Sequence, residues 1–97
     1  MNGGLLVGKY LANISDGIVI KITNHKEQTV EVPVKLLDNI LDRVHEYCEL
    51  DDVVGIRYYL EQDKEQGVVF VADKVTFLSR KGADPTSKGG DEDVNRE

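Results

Sequence analysis

Five apolar runs of β-type periodicity, interrupted once by a single amphipathic helix, constrain this chain more than any other feature. Leu5 to Ile14 reads as a first strand, with Leu5, Val7 and Leu11 on one parity and Leu6, Tyr10 and Ala12 on the other. A strand apolar on both parities is buried on both sides or set at an interface. Gly8 in its middle suggests a bulge or a bend. Ser15-Asp16-Gly17 is a turn, with Asp-Gly suited to positive φ. Ile18, Ile20 and Ile22 then alternate with Val19, Lys21 and Thr23, which completes a hairpin. Asn24 to Gln28 forms the next turn. In the third strand, Thr29 to Lys35, Val30, Val32 and Val34 point inward, while Thr29, Glu31 and Lys35 point outward. Pro33 lies on the outer parity and marks an edge or a bulge.

The helix spans Leu36 to Leu50. Leu37, Ile40, Leu41, Val44, Tyr47 and Cys48 recur at steps of three and four, opposite Asp38, Asp42, Arg43, Glu46 and Glu49. Asp51-Asp52 ends it. Val53 to Glu61 is the fourth strand, Gln62 to Gly67 a polar loop, and Val68 to Leu78 the fifth and most apolar strand. From Gly82 the apolar residues almost vanish, so the reading is one folded domain over 1–81 and a disordered acidic tail over 82–97. The order β-β-β-α-β-β is that of an OB-fold: an all-β, five-stranded Greek-key barrel, partly open, with its helix plugging one end. Other small β-barrels and an α+β sandwich share the pattern.

Composition removes several functions. No apolar run approaches the roughly 18 residues of a membrane span. Met1-Asn2-Gly3-Gly4 lacks the basic segment of a secretory signal, so a cytoplasmic location is expected, nucleoid-associated if the protein binds DNA. The single Cys48 precludes an internal disulfide, and with only His25 and His45 beside it a zinc site has too few ligands. No nucleophile, acid/base pair or phosphate-binding glycine loop is recognisable, so neither a cofactor nor enzymatic activity is expected. Net charge is −6, and an acidic body opposes strong phosphate binding, which needs many Lys and Arg contacts.

Several stretches carry a resemblance. Glu31-Val32-Pro33-Val34 runs into Leu37-Asp38-Asn39-Ile40-Leu41-Asp42-Arg43-Val44. Asp52-Val53-Val54-Gly55-Ile56 precedes Val71-Ala72-Asp73-Lys74-Val75-Thr76-Phe77-Leu78-Ser79, and Val7-Gly8-Lys9 opens the first strand. Together they resemble bacterial single-stranded DNA-binding proteins over the whole folded body. The resemblance implies an OB-fold and sequence-independent binding of single-stranded DNA, or of single-stranded RNA, in replication, recombination or repair. It also implies a homo-oligomer, dimer or tetramer, and a tail that recruits partner proteins. The doubly apolar first strand independently favours the homo-oligomer.

Single-strand binding asks for aromatic platforms and for cations along the backbone. Lys9, Lys21 and Lys35 lie on the polar parity of three consecutive strands, and Arg57 and Tyr59 share a parity of the fourth. Lys9, Lys21, Lys35 and Arg57 are the candidate phosphate contacts, and Tyr59 is the candidate stacking platform; the plain alternative is a solvated face. Tyr58 belongs to the core or a subunit contact; Tyr10, Tyr47, Phe70 and Phe77 belong to the core. The chain departs from the family in having no Trp, Leu37 where the family places a stacking aromatic, Tyr58-Tyr59 where it has Gly-Arg, and a short acidic loop with Glu61, Asp63 and Glu65. Its ending, Val94-Asn95-Arg96-Glu97, lacks the family's Pro-Phe anchor. These departures predict weak binding over a short site. The alternative function is an OB-fold interaction or structural module that has lost nucleic-acid binding.

Overall fold

The computed structural model describes residues 3–80. Strands β1 (Gly3–Ile14), β2 (Gly17–Thr23) and β3 (Thr29–Leu36) precede helix α1 (Asp38–Tyr47), and β4 (Val53–Asp63) and β5 (Gly67–Ser79) follow it. They close into one barrel in the order β1-β2-β3-β5-β4. Neighbours are antiparallel except β3 and β5, which run parallel through Val34–Leu36 against Phe70–Ala72. This is the five-stranded barrel with one helix that the order of elements predicts. The tail at 82–97 lies outside the described residues, and among those described no helix is long and apolar enough to cross a membrane.

Inward positions of every strand fill the barrel. Ile18, Ile20, Val34, Val54, Ile56, Ala72 and Val75 are fully buried, and α1 adds Ile40 and Val44, four residues apart and therefore on one helix face. Each buried Val or Ile contributes about 1.5–3 kcal/mol on burial. The helix thus plugs one end of the barrel.

Four local expectations change. The regular helix is shorter than Leu36–Leu50, because Leu37 is extended at the N-cap and gives its N–H to the Ala72 carbonyl, and Cys48 is extended at the other end. Leu37 is consequently exposed rather than part of the apolar stripe. The bulge in β1 lies between Tyr10 and Ala12, not at Gly8, and the buried Tyr10 hydroxyl donates to the Asn13 side chain across it. Gly8 is instead a close-approach site, where a Cβ would lie 2.8 Å from the Lys21 carbonyl oxygen. Val30 has the inward parity yet is exposed, because β3 there extends beyond its pairing with β5.

Cys48 is the small core residue expected of it. Burial pushes its thiol up to about 11 from 9.0, Asp52 adds to the rise and Arg80 opposes it. The folded protein is therefore expected to resist thiol reagents at pH 8 and react fully in denaturant. A folded pKa above the unfolded one also means that stability present below pH 9.0 declines toward pH 11, as the unfolded thiol ionises first. Alkylation timed by mass spectrometry, with urea midpoints on both sides of that range, checks both expectations.

Candidate nucleic-acid interface

Lys9 on β1 and Lys21 on β2 are direct cross-strand partners. Opposed side chains on antiparallel strands have Cβ atoms about 5 Å apart, and like charges so placed are destabilising. Neither lysine forms an ion pair among the described residues. Two adjacent ammonium groups thus share this outer sheet face, and Lys21 has a carboxylate, Glu31, as its cross-strand partner on the other side.

The other candidates lie elsewhere. Across from Lys21 on β3 stands Glu31, not a further cation. Lys35 is paired with Gly17, four residues along β2 from Lys21 and hence about 13 Å away at the rise of a strand. Its ammonium is 3.9 Å from Glu61. Lys35 and Tyr59 both neighbour the buried Val71, one on each side, so they share a row of the outer face. Tyr59 is half-buried. Arg57 is exposed on β4, bonds Asp73 at 2.8 Å, and lies between Leu5 and Lys74 in the sheet. The five residues therefore form two groups, Lys9 with Lys21 and Lys35 with Tyr59 and Arg57, not one continuous row. Glu31 and Glu61 stand beside them.

Between the groups is an apolar outer face on β1, β4 and β5. Leu5 is 75% exposed, Val7 57% and Leu78 40%. They surround Gly55, whose missing side chain leaves a shallow depression of ≈ 400 Å³. The dual apolar character of β1 has this outcome: Tyr10 is buried and Leu6 half-buried inside the barrel, while Leu5 and Val7 face outward. Tyr58 packs edge-on against Phe70 with centroids 4.9 Å apart, as a residue of the core margin would.

The helix end is negative. Asp38, Asp42, Glu46, Glu49, Asp51 and Asp52 are opposed within that segment only by Arg43, and from outside it Arg80 pairs with Glu49 and the buried Asp52.

One constellation went unread in the sequence. Asp52 is fully buried. It accepts the Glu49 N–H at 2.8 Å and both Nε and Nη2 of Arg80, at 3.3 and 3.2 Å. Arg80 also donates to the Tyr47 carbonyl, and its guanidinium lies 5.1 Å from the ring centres of both Tyr47 and Phe77. This cluster ties the end of α1 to the end of β5. The clue was an aspartate pair closing the helix and an arginine directly after β5. His45 is also structural, with Nε2 2.7 Å from the Gly17 carbonyl oxygen, which makes that nitrogen the donor. Among the described residues no cluster of His, Cys, Asp and Glu is arranged to hold a metal ion.

No protein-family model matches this chain, and no curated protein sequence does. Solved structures do. One crystal structure of Rim1, a mitochondrial single-stranded DNA-binding protein of S. cerevisiae, superposes with a TM-score of 0.67 at 12% identity, over 81% of this chain and 96% of that one. A second crystal form gives a TM-score of 0.64 at 13% identity, over 86% and 98%. Likeness at this identity establishes the shared barrel.

Proposed function

We propose that this chain is a sequence-independent single-stranded DNA-binding protein of low affinity, acting in replication, recombination or repair, and that it works by binding, without catalysis. The observation that carries the reading is the Lys9–Lys21 pair on the outer face, two adjacent cations with no carboxylate bridged to either among the described residues. The shared fold with a mitochondrial single-stranded DNA-binding protein supports it. In this reading Lys9 and Lys21 hold consecutive phosphates, Lys35 and Arg57 act where the strand displaces Glu61 and Asp73, and the exposed edge of Tyr59 stacks a base. Single-stranded RNA presents the same phosphates and bases. The expected setting is the cytoplasm, at the nucleoid.

In fluorescence anisotropy with labelled oligo-dT at low salt, Lys21→Glu is expected to weaken binding about ten-fold, since reversing one phosphate contact removes an attraction and adds a repulsion. Arg43→Gln, on the acidic helix, is expected to leave affinity unchanged. Equal losses in both variants would refute a localised lysine site.

The exposed strip of Leu5, Val7 and Leu78 supports a homo-oligomer, dimer or tetramer, because contiguous apolar surface of this kind marks an interaction site. Leu5→Lys is expected to convert the assembly to a 10.8 kDa monomer in sedimentation equilibrium. A wild-type chain already monomeric at high micromolar concentration would exclude this assembly.

A second reading, a protein-interaction barrel, is favoured by the groove between β3 and β5, where Asp16, Glu31 and Asp63 stand against Lys35 alone.

A further inference from the structure

The barrel closes by an incomplete seam. β3 pairs with β2 along its whole length, from Thr29 to Lys35, but with β5 only at Val34–Leu36. β5 pairs with β4 as far as Gly67. The segments 29–33 and 67–69 therefore each have a ladder on one side only, and a groove of ≈ 380 Å³ opens between them.

Backbone direction along β3 can be read residue by residue. The Leu36 N–H bonds the Asp16 carbonyl, on the β2 side, and the Leu37 N–H bonds the Ala72 carbonyl, on the β5 side. Alternate residues of a strand point their polar groups to opposite sides, so Glu31, Pro33 and Lys35 face β5. Pro33 fits this assignment, since it has no N–H to give and sits where no ladder asks for one. Lys35 finds its partner strand at Val71. The Glu31 N–H and carbonyl and the Pro33 carbonyl face the groove with no strand beside them among the described residues.

The lining selects an occupant. Ile14, Pro33, Val68 and Phe70 supply apolar surface, and Val68 is 60% exposed. Asp16, Glu31 and Asp63 contribute three carboxylates. The one cation, Lys35, is already 3.9 Å from Glu61. The Asp63 carboxyl is held below its usual range by the backbone N–H groups of Glu65 and Gln66, so it stays charged. Along most of this groove a nucleic-acid backbone would meet three carboxylates against Lys35 alone, a second copy of this edge would oppose like charges, and the acidic residues at 84–97 make that segment a poor occupant.

We propose that the groove between β3 and β5 receives an extended cationic peptide. It adds as a strand to the free edge at Glu31, sets apolar side chains against Val68 and Phe70, and directs Lys or Arg toward Asp16, Glu31 and Asp63. This site borders the proposed strand path, since Glu31 pairs with Lys21 across β2 and β3 and Lys35 belongs to both, but peptide and oligonucleotide are separate probes, so either reading can fail without the other.

The probe is a fluorescein-labelled peptide of alternating Lys and Val, titrated into the full chain at low salt. Saturable binding is expected, weakened at least ten-fold by Glu31→Lys. Should that variant melt less cooperatively, Val68→Lys, at an exposed position, serves the same purpose. In ¹⁵N-resolved spectra, shifts are expected at residues 31–35 and 67–70. Methylating alternate backbone nitrogens of the peptide, in either register, should abolish binding in one register, which loose charge attraction does not predict. Equal binding of a Glu-Val peptide, indifference to both methylation registers, or shifts centred on the acidic helix would each overturn the proposal.

Discussion

Gly17→Ala is expected to abolish cooperative folding. A Cβ on Gly17 would lie 1.9 Å from the Val34 carbonyl oxygen, 2.8 Å from its carbonyl carbon and 2.9 Å from the Lys35 Cα. All three are backbone atoms of β3, so no side-chain rotation relieves the clash. The strands must part at the point where Leu36 bonds Asp16 and His45 bonds the Gly17 carbonyl. The loss is expected to exceed about 4 kcal/mol, a range reserved for this sort of steric conflict. A domain of this size holds only about 5–10 kcal/mol in total. Gly55→Ala is the matched control, since its nearest contact is the flexible Leu78 side chain at 3.6 Å. Circular-dichroism melts should show a normal transition for Gly55→Ala and none for Gly17→Ala. A Gly17→Ala protein that melts within a few degrees of wild type would contradict the close β2–β3 contact.

Arg80→Met carries the second large effect. It removes the guanidinium from a carboxylate of 0% exposure while keeping much of the apolar stem that lies against Tyr47 and Phe77. Asp52 then keeps the Glu49 N–H but lacks a countercharge. Breaking a buried pair by deleting one partner costs about 3–5 kcal/mol, and the Glu49 contact places the expected loss at the low end, about 3 kcal/mol. Adding Asp52→Asn should return part of it, because the uncompensated charge goes with the carboxylate. Urea denaturation of the two single variants and the double variant measures the coupling. A loss below about 0.5 kcal/mol for Arg80→Met would reduce the pair to an ordinary surface contact.

The two predictions rest on features of differing visibility in the sequence. The barrel was legible because strand periodicity and helix periodicity are local, and the elements fall in an order with few compact solutions. Gly17 was legible as a turn glycine, but its reason was not. The left-handed residues of the turns are Glu27, Asp51 and Gly67, whereas Gly17 is required by the approach of a strand far along the chain. Asp52 was read as a helix end because its partner is 28 residues away. The same holds for the candidate site. That Lys9, Lys21 and Lys35 face outward follows from parity, but which of them are neighbours depends on register. Register pairs Lys9 with Lys21 and sets Lys35 beside Glu61. The open seam between β3 and β5 was hinted at only by Pro33, a residue placed where a ladder has no donor to lose.

The direct test of the functional account is the binding constant of the wild-type chain for labelled oligo-dT, measured across a series of salt concentrations. Two to four phosphate contacts on a single strand predict that log K falls linearly with log salt, with a slope of about −1.4 to −2.8. Saturable binding at low salt with a slope in that range is expected. No binding at tens of micromolar protein, or binding indifferent to salt, would contradict it.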